Sequence, residues 1–194
     1  MKRSYALVLA ALLIGACATR SGPTPSGPWP MAHDSTVSIS VAIKGTFTTN
    51  GSPSSLANFF PESREEALKA YRESGCFSTV SEGLGDSDFH AAIAIRDDDQ
   101  YSEGWQMFAG ATLFLVPAVV DRKLTVDTEL RDREGHLVGE LSESEVGHIW
   151  MALLLLPAFP FAAPRTVDDD IVYDLNRRTI AEASERGLFR PSPR

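Results

Sequence analysis

Residues 122–146, RKLTVDTELRDREGHLVGELSESEV, constrain the fold of this 194-residue chain more than any other stretch. Leu124, Val126, Thr128 and Leu130 alternate with polar neighbours, Arg133, Glu134 and Gly135 supply a turn, and Leu137 and Leu141 mark a return strand. Alternation of period two buries one face of a strand and wets the other, so the stretch reads as a β-hairpin. Glu140, Glu143 and Glu145, with Ser142 and Ser144, read as its wet side. Two charge-free segments flank it, MFAGATLFLVPAVV at 107–120 and IWMALLLLPAFPFAAP at 149–164. An antiparallel hairpin would bring both to the same end of a sheet.

The rest of the pattern fills in an α+β domain. Val37, Ile39, Val41 and Ile43 alternate as a half-buried strand, and CFSTVSEG and DFHAAIAIRD give two more, the latter with Phe89, Ala91, Ile93 and Ile95 on one face. The small residues between them fit a sheet at least partly covered on both faces. SREEALKAYRESG predicts a helix with Ser63 and Glu66 in capping-box spacing, Gly75 as its stop, and Ala67, Leu68 and Tyr71 as its apolar stripe. DDDIVYDLNRRTIAEASERG predicts a second, with acidic residues first, Arg177, Arg178 and Arg186 later, and Gly187 beyond. Val172, Leu175, Thr179 and Ala183 share a face, and Leu188 and Phe189 close over the cap. The expected architecture is a mixed or antiparallel sheet of about five strands packed by two amphipathic helices.

The apolar segments fit three roles: core elements, a monotopic patch in one leaflet, or a groove for a partner protein. Runs of 10 to 14 apolar residues are more often core than spans. Under the other two readings the contact residues are Leu113, Phe114, Leu115, Trp150, Leu154, Leu155 and Phe159, with Trp150 at the interface and Arg122 and Lys123 facing phosphates.

The chain opens MKRSYALVLAALLIGAC: two basic residues, an apolar run from Ala6 to Ala16, then Ile14-Gly15-Ala16-Cys17. The run is too short to span a bilayer, which needs about 20 residues. This start resembles a bacterial lipoprotein signal peptide with its lipobox. The resemblance implies a cut before Cys17 and a diacylglycerol thioether on its sulfur, and Ala18, rather than Asp, after it implies sorting to the outer membrane. Each buried methylene contributes about 0.8 kcal/mol, so two or more acyl chains anchor stably. The expected organisation is a signal peptide at 1–16, a lipidated Cys17 with a Pro-rich tether at 17–35, and one domain at 36–194. In polyproline geometry such a tether reaches on the order of 50 Å.

Composition narrows the partners. The formal charge is −8, and losing Lys2 and Arg3 leaves 16 Lys and Arg against 26 Asp and Glu, a charge of −10. Nucleic-acid binding needs clustered basic residues, so it is not expected. With Cys17 lipidated, Cys76 has no disulfide partner and reads as a small buried side chain at a strand start. His33, His90, His136 and His148 show no HxxxH or HExxH spacing, and no GxSxG elbow occurs, so no metal, cofactor or catalytic residue is expected. Asp97-Asp98-Asp99 reads as a solvated strand end and Asp168-Asp169-Asp170 as a helix N-terminus, neither having the spacing of a calcium loop.

The hairpin, Trp150, the Leu run and Pro157-Ala158-Phe159-Pro160 resemble a group of bacterial envelope lipoproteins over roughly 105–189. The element order is loosely similar to the α/β domains of TolB's amino-terminal part and of curli-secretion-type lipoproteins, an architectural likeness that carries no function. The resulting expectation is a non-enzymatic lipoprotein, anchored in the outer membrane and facing the periplasm. It would act as an assembly or transport accessory that binds an envelope protein or lipid. A carrier of lipid or a small apolar ligand is the alternative, and an envelope hydrolase the third reading.

Overall fold

The computed structural model describes residues 15–22, 24–31, 36–54, 60–83, 85–158 and 164–189. Expectations that fall on residues 1–14, on 32–35 and on Phe159 lie outside them. The hairpin forms as its alternation requires, and it is long: β6 (Ala118–Asp132) and β7 (Leu137–Ala152) pair antiparallel from Ala118↔Met151 to Arg131↔Leu137. Gly135 takes the turn with φ of 88°, a conformation that costs a residue with a Cβ. The strands continue into both charge-free segments, so Ala118 to Val120 and Ile149 to Ala152 are sheet.

Five further strands complete an open mixed sheet: β1 (Gly15–Arg20), β2 (Ser38–Thr49), β3 (Ser52–Pro53), β4 (Thr79–Glu82) and β5 (Phe89–Gln100). The order is β1-β7-β6-β5-β2-β3, with β4 parallel to β2 on its free side and β5 parallel to β2 on the other. The sheet thus has seven strands where the sequence predicts about five; the additions are the short β3 and the N-terminal β1. Helix α1 (Phe60–Glu73) lies between β3 and β4, α2 (Glu103–Ala111) joins β5 to β6, and α3 (Pro164–Glu185) follows a 3-10 turn at Leu153–Ala158. Helix α1 starts at Phe60, so Ser63 lies inside it and is not its cap.

One face of the sheet carries the core. Ile39 and Val41 of β2, Phe89, Ile93 and Ile95 of β5, and Leu124, Val126 and Leu130 of β6 meet Leu68 and Tyr71 of α1 and Ile171, Leu175 and Ile180 of α3. Phe189 closes the far end edge-on against Phe77 and Phe89, as expected from its place after Gly187. The expectation of cover on both faces fails: Ala92, Ala94 and Arg96 on the opposite face of β5 are exposed, because both long helices pack on the same side. Small side chains here reflect an open face, not a second layer.

Candidate functional site

The two charge-free segments do meet at one end of the sheet. Leu153 N donates to Phe114 O at 3.0 Å, tying the turn after β7 to the loop after α2. Helix α2 has Ser102 as its N-cap, and Ala109 is its buried apolar residue. Trp105, Met107 and Phe108 are left outside, Met107 at 76% exposure. Leu113, Leu115, Trp150 and Leu154 are exposed with them, Leu154 at 77%. Phe114 and Leu155 are half-buried. Of the contact residues expected from the sequence, then, Leu113, Leu115, Trp150 and Leu154 present apolar surface, and Phe114 and Leu155 are half-buried beneath it. Trp105 and Phe108 join this surface without having been expected there; their i,i+3 spacing on a helix beside the run is the sequence sign of a shared face.

The loop that carries Leu113 and Leu115 is built, not slack. Leu113 N bonds Gly110 O, Phe114 N bonds Ala109 O, Leu115 N bonds Thr112 O, and Val116 N reaches Thr112 Oγ1. The Trp105 indole N–H donates to Pro117 O at 3.0 Å, and the Gln106 amide to Val119 O. Leu113 and Phe114 hold φ of 53° and 57°, the left-handed region, at roughly 1–2 kcal/mol each for residues with a Cβ. A folded chain keeps two such residues side by side only where the surroundings over-determine them.

Cys17 lies at this same end. It is buried in β1, directly opposite Trp150 of β7, with Sγ 3.9 Å from Leu155 O. The strand is locked in place three residues on. Arg20 binds the Glu145 carboxylate through Nε at 2.8 Å and NH2 at 3.1 Å, and Asp174 of α3 at 2.6 Å. Gly22 N and Arg178 also donate to Glu145. Burial opposes the Arg20 charge, but the bonds from Glu145 and Asp174 outweigh it and raise its pKa. Beyond β1, the Trp29 indole donates to the Tyr173 hydroxyl, Arg177 lies over its ring, and Met31 N bonds Ser74 O. The described part of 17–35 is therefore a strap against the body and not a free tether. The reason is that Arg20 and Trp29 find partners 125 and 144 residues away.

Asp97 and Asp99 continue the inward alternation of Ile93 and Ile95, so they face α3 and not solvent. Arg122 reaches them from β6, bidentate to Asp99 at 2.7 and 3.0 Å and 3.4 Å from Asp97, and it also pairs with Asp168 of α3. Burial pushes Asp97 up to about 7 against the pull of Arg122, and Asp168 up to about 6 for the same reason. Arg122 points inward, so it is not available to phosphates; Lys123, next to it, is exposed. Glu145 likewise is buried on the helix side of β7, two steps from buried Leu141, and not on the wet side.

His148 pairs with Asp121 at 2.7 Å on the open face, and His136 with Asp132 at the β6–β7 turn. Asp132, Glu134 and His136 stand close enough together to hold a cation, but they are an exposed, internally hydrogen-bonded turn. Cys76 is buried as expected, and burial raises its thiol pKa. Among the described residues no helix is long and apolar enough to cross a membrane.

No family model matches the sequence, and no curated protein does. Solved structures give remote likenesses. A PelC dodecamer from Paraburkholderia phytofirmans matches at 12% identity and a TM-score of 0.38, over 84% of this chain and 95% of that one. A minor lipoprotein from Acinetobacter baumannii matches at 11% and 0.41, over 74% and 93%. A homolog of a neuraminyllactose-binding hemagglutinin from Helicobacter pylori matches at 10% and 0.46, over 87% and 92%. Likeness this remote assigns neither family nor function.

Proposed function

We propose that the chain is a lipoprotein anchored through Cys17 in the bacterial outer membrane, facing the periplasm, and that it acts without catalysis as an assembly or transport accessory. One juxtaposition carries this reading: the lipobox cysteine pairs opposite Trp150, at the end of the sheet where the exposed apolar side chains gather. The Arg20 clamp ties the strand that carries Cys17 to β7 and α3, so a lipid on Cys17 would hold this end of the body near the membrane. The carrier alternative calls for an enclosed apolar recess. Among the described residues, a groove beside α2 does not have that form: it is open and lined by Asn50, Gln100, Tyr101, Ser102 and Asp121.

The Cys17→Ser protein should leave the outer-membrane fraction of separated envelopes, whereas Cys76→Ser should stay there. Retention of Cys17→Ser in that fraction would remove the anchor from the account. Crosslinking the native lipidated protein in cells should then recover an envelope protein; recovery of lipid alone would favour the carrier.

A further inference from the structure

The geometry points to a lipid surface as the occupant of the apolar end: Trp105, Met107, Phe108, Leu113, Leu115, Trp150 and Leu154 enter the leaflet that holds the acyl chains of Cys17. This rests on the anchored reading above and names the partner of that site.

Three observations choose lipid over a protein groove. The first is backbone satisfaction. In hydrocarbon an unpaired N–H has no water to turn to. At this tip the N–H groups of Leu113, Phe114, Leu115 and Val116, and the indole N–H of Trp105, are all bonded internally. The second is depth. On the open face Trp150 pairs with Val119, and two residues further along stands the Asp121–His148 pair. That is about 7 Å of strand, and interfacial elements bury about 5–10 Å of apolar surface before polar groups begin. Trp105 and Trp150 then sit where amphipathic rings collect. The third is continuity, since β1 places Cys17 beside Trp150 and Leu155. Insertion fixes the tilt of the body, which an anchor at one residue does not.

The net charge of the chain is negative, so anionic head groups do not draw it in. The contact is apolar and insensitive to salt. Two single-tryptophan reporters of the full lipidated protein, each also carrying Trp29→Phe and either Trp105→Phe or Trp150→Phe, separate the outcomes. They are reconstituted in phosphatidylcholine vesicles with acyl-brominated lipid. Both should float with the vesicles, emit at shorter wavelength than in detergent-free buffer with the tip mutated, and be quenched by bromine in low and high salt alike. The exposed pair Leu113→Asp and Leu115→Asp should lose the quenching while circular dichroism and flotation stay unchanged. Flotation without quenching overturns the lipid occupant and leaves the anchor standing. Failure to float overturns the anchor itself.

Discussion

Arg122→Met should destabilise the fold by about 3–5 kcal/mol at neutral pH, because it strands buried carboxylates that share one guanidinium. Asp97, Asp99 and Asp168 all look to that residue, from two different elements, so β5 and the first turns of α3 lose their common tie. The native cluster also has an unusual pH signature. Asp97 is raised to about 7 and Asp168 to about 6, against an ordinary 3.8. Below 3.8 both states hold these protons, and the full contribution is present. Between about 4 and 7 the unfolded chain releases them while the folded chain keeps them, so stability falls as pH rises and levels off above 7. At about 1.4 kcal/mol per pKa unit, the drop is on the order of 4 kcal/mol from Asp97 and 3 kcal/mol from Asp168. Asp97→Asn should flatten most of that slope and raise stability at pH 8. Urea midpoints at pH 5 and pH 8 measure both effects. A native midpoint that rises between those pH values, with no change in slope in Asp97→Asn, contradicts the cluster's assigned electrostatics.

Arg20→Met should free β1. Glu145 keeps Arg178 and the Gly22 amide but loses its bidentate partner, and Asp174 loses its cation, at about 2–3 kcal/mol. The effect is expected to be local: amide exchange should accelerate in β1 and along its partners Gly147 to Ala152, while α1, β2 and β5 keep their protection. Gly22→Val attacks the same contact from the other side, since a Cβ there would lie 2.3 Å from the Glu145 carboxyl carbon. Because the two changes break one contact, their costs should not add. Unchanged protection of β1 in both variants would mean that the clamp does not hold the strand.

Much of this molecule is written in local pattern. The hairpin, its turn at Gly135, the Phe89 strand and the buried face of α3 follow from periodicity alone, and connectivity correctly brought the apolar segments together. Exposure did not follow, because an uncharged run reads the same whether core covers it or not. Leu115 is exposed and Val120 buried, although they stand five residues apart in one uncharged run. The ionic clusters were half legible. Counting by two from Ile93 places Asp97 and Asp99 inside, and from Leu141 it places Glu145 there, but a charge run ordinarily marks solvent. Arg20 was illegible, since its partners lie more than a hundred residues away. Reading 17–35 as slack followed from its proline content, which says nothing about whether Trp29 finds Tyr173.

The proposed arrangement makes the lipid-bearing strand and the apolar tip one end of the molecule, lying in the membrane. Spin labels placed through Leu115→Cys and through Glu134→Cys, in the lipidated protein on vesicles, test it most directly. The second site is at the turn roughly 45 Å up the hairpin, at about 3.3 Å per residue. The label at 115 should collide with dissolved oxygen far more than with a water-soluble nickel chelate, as in an acyl phase, and the label at 134 should do the reverse. Two labels equally open to the nickel chelate, on protein that remains vesicle-bound, would contradict it.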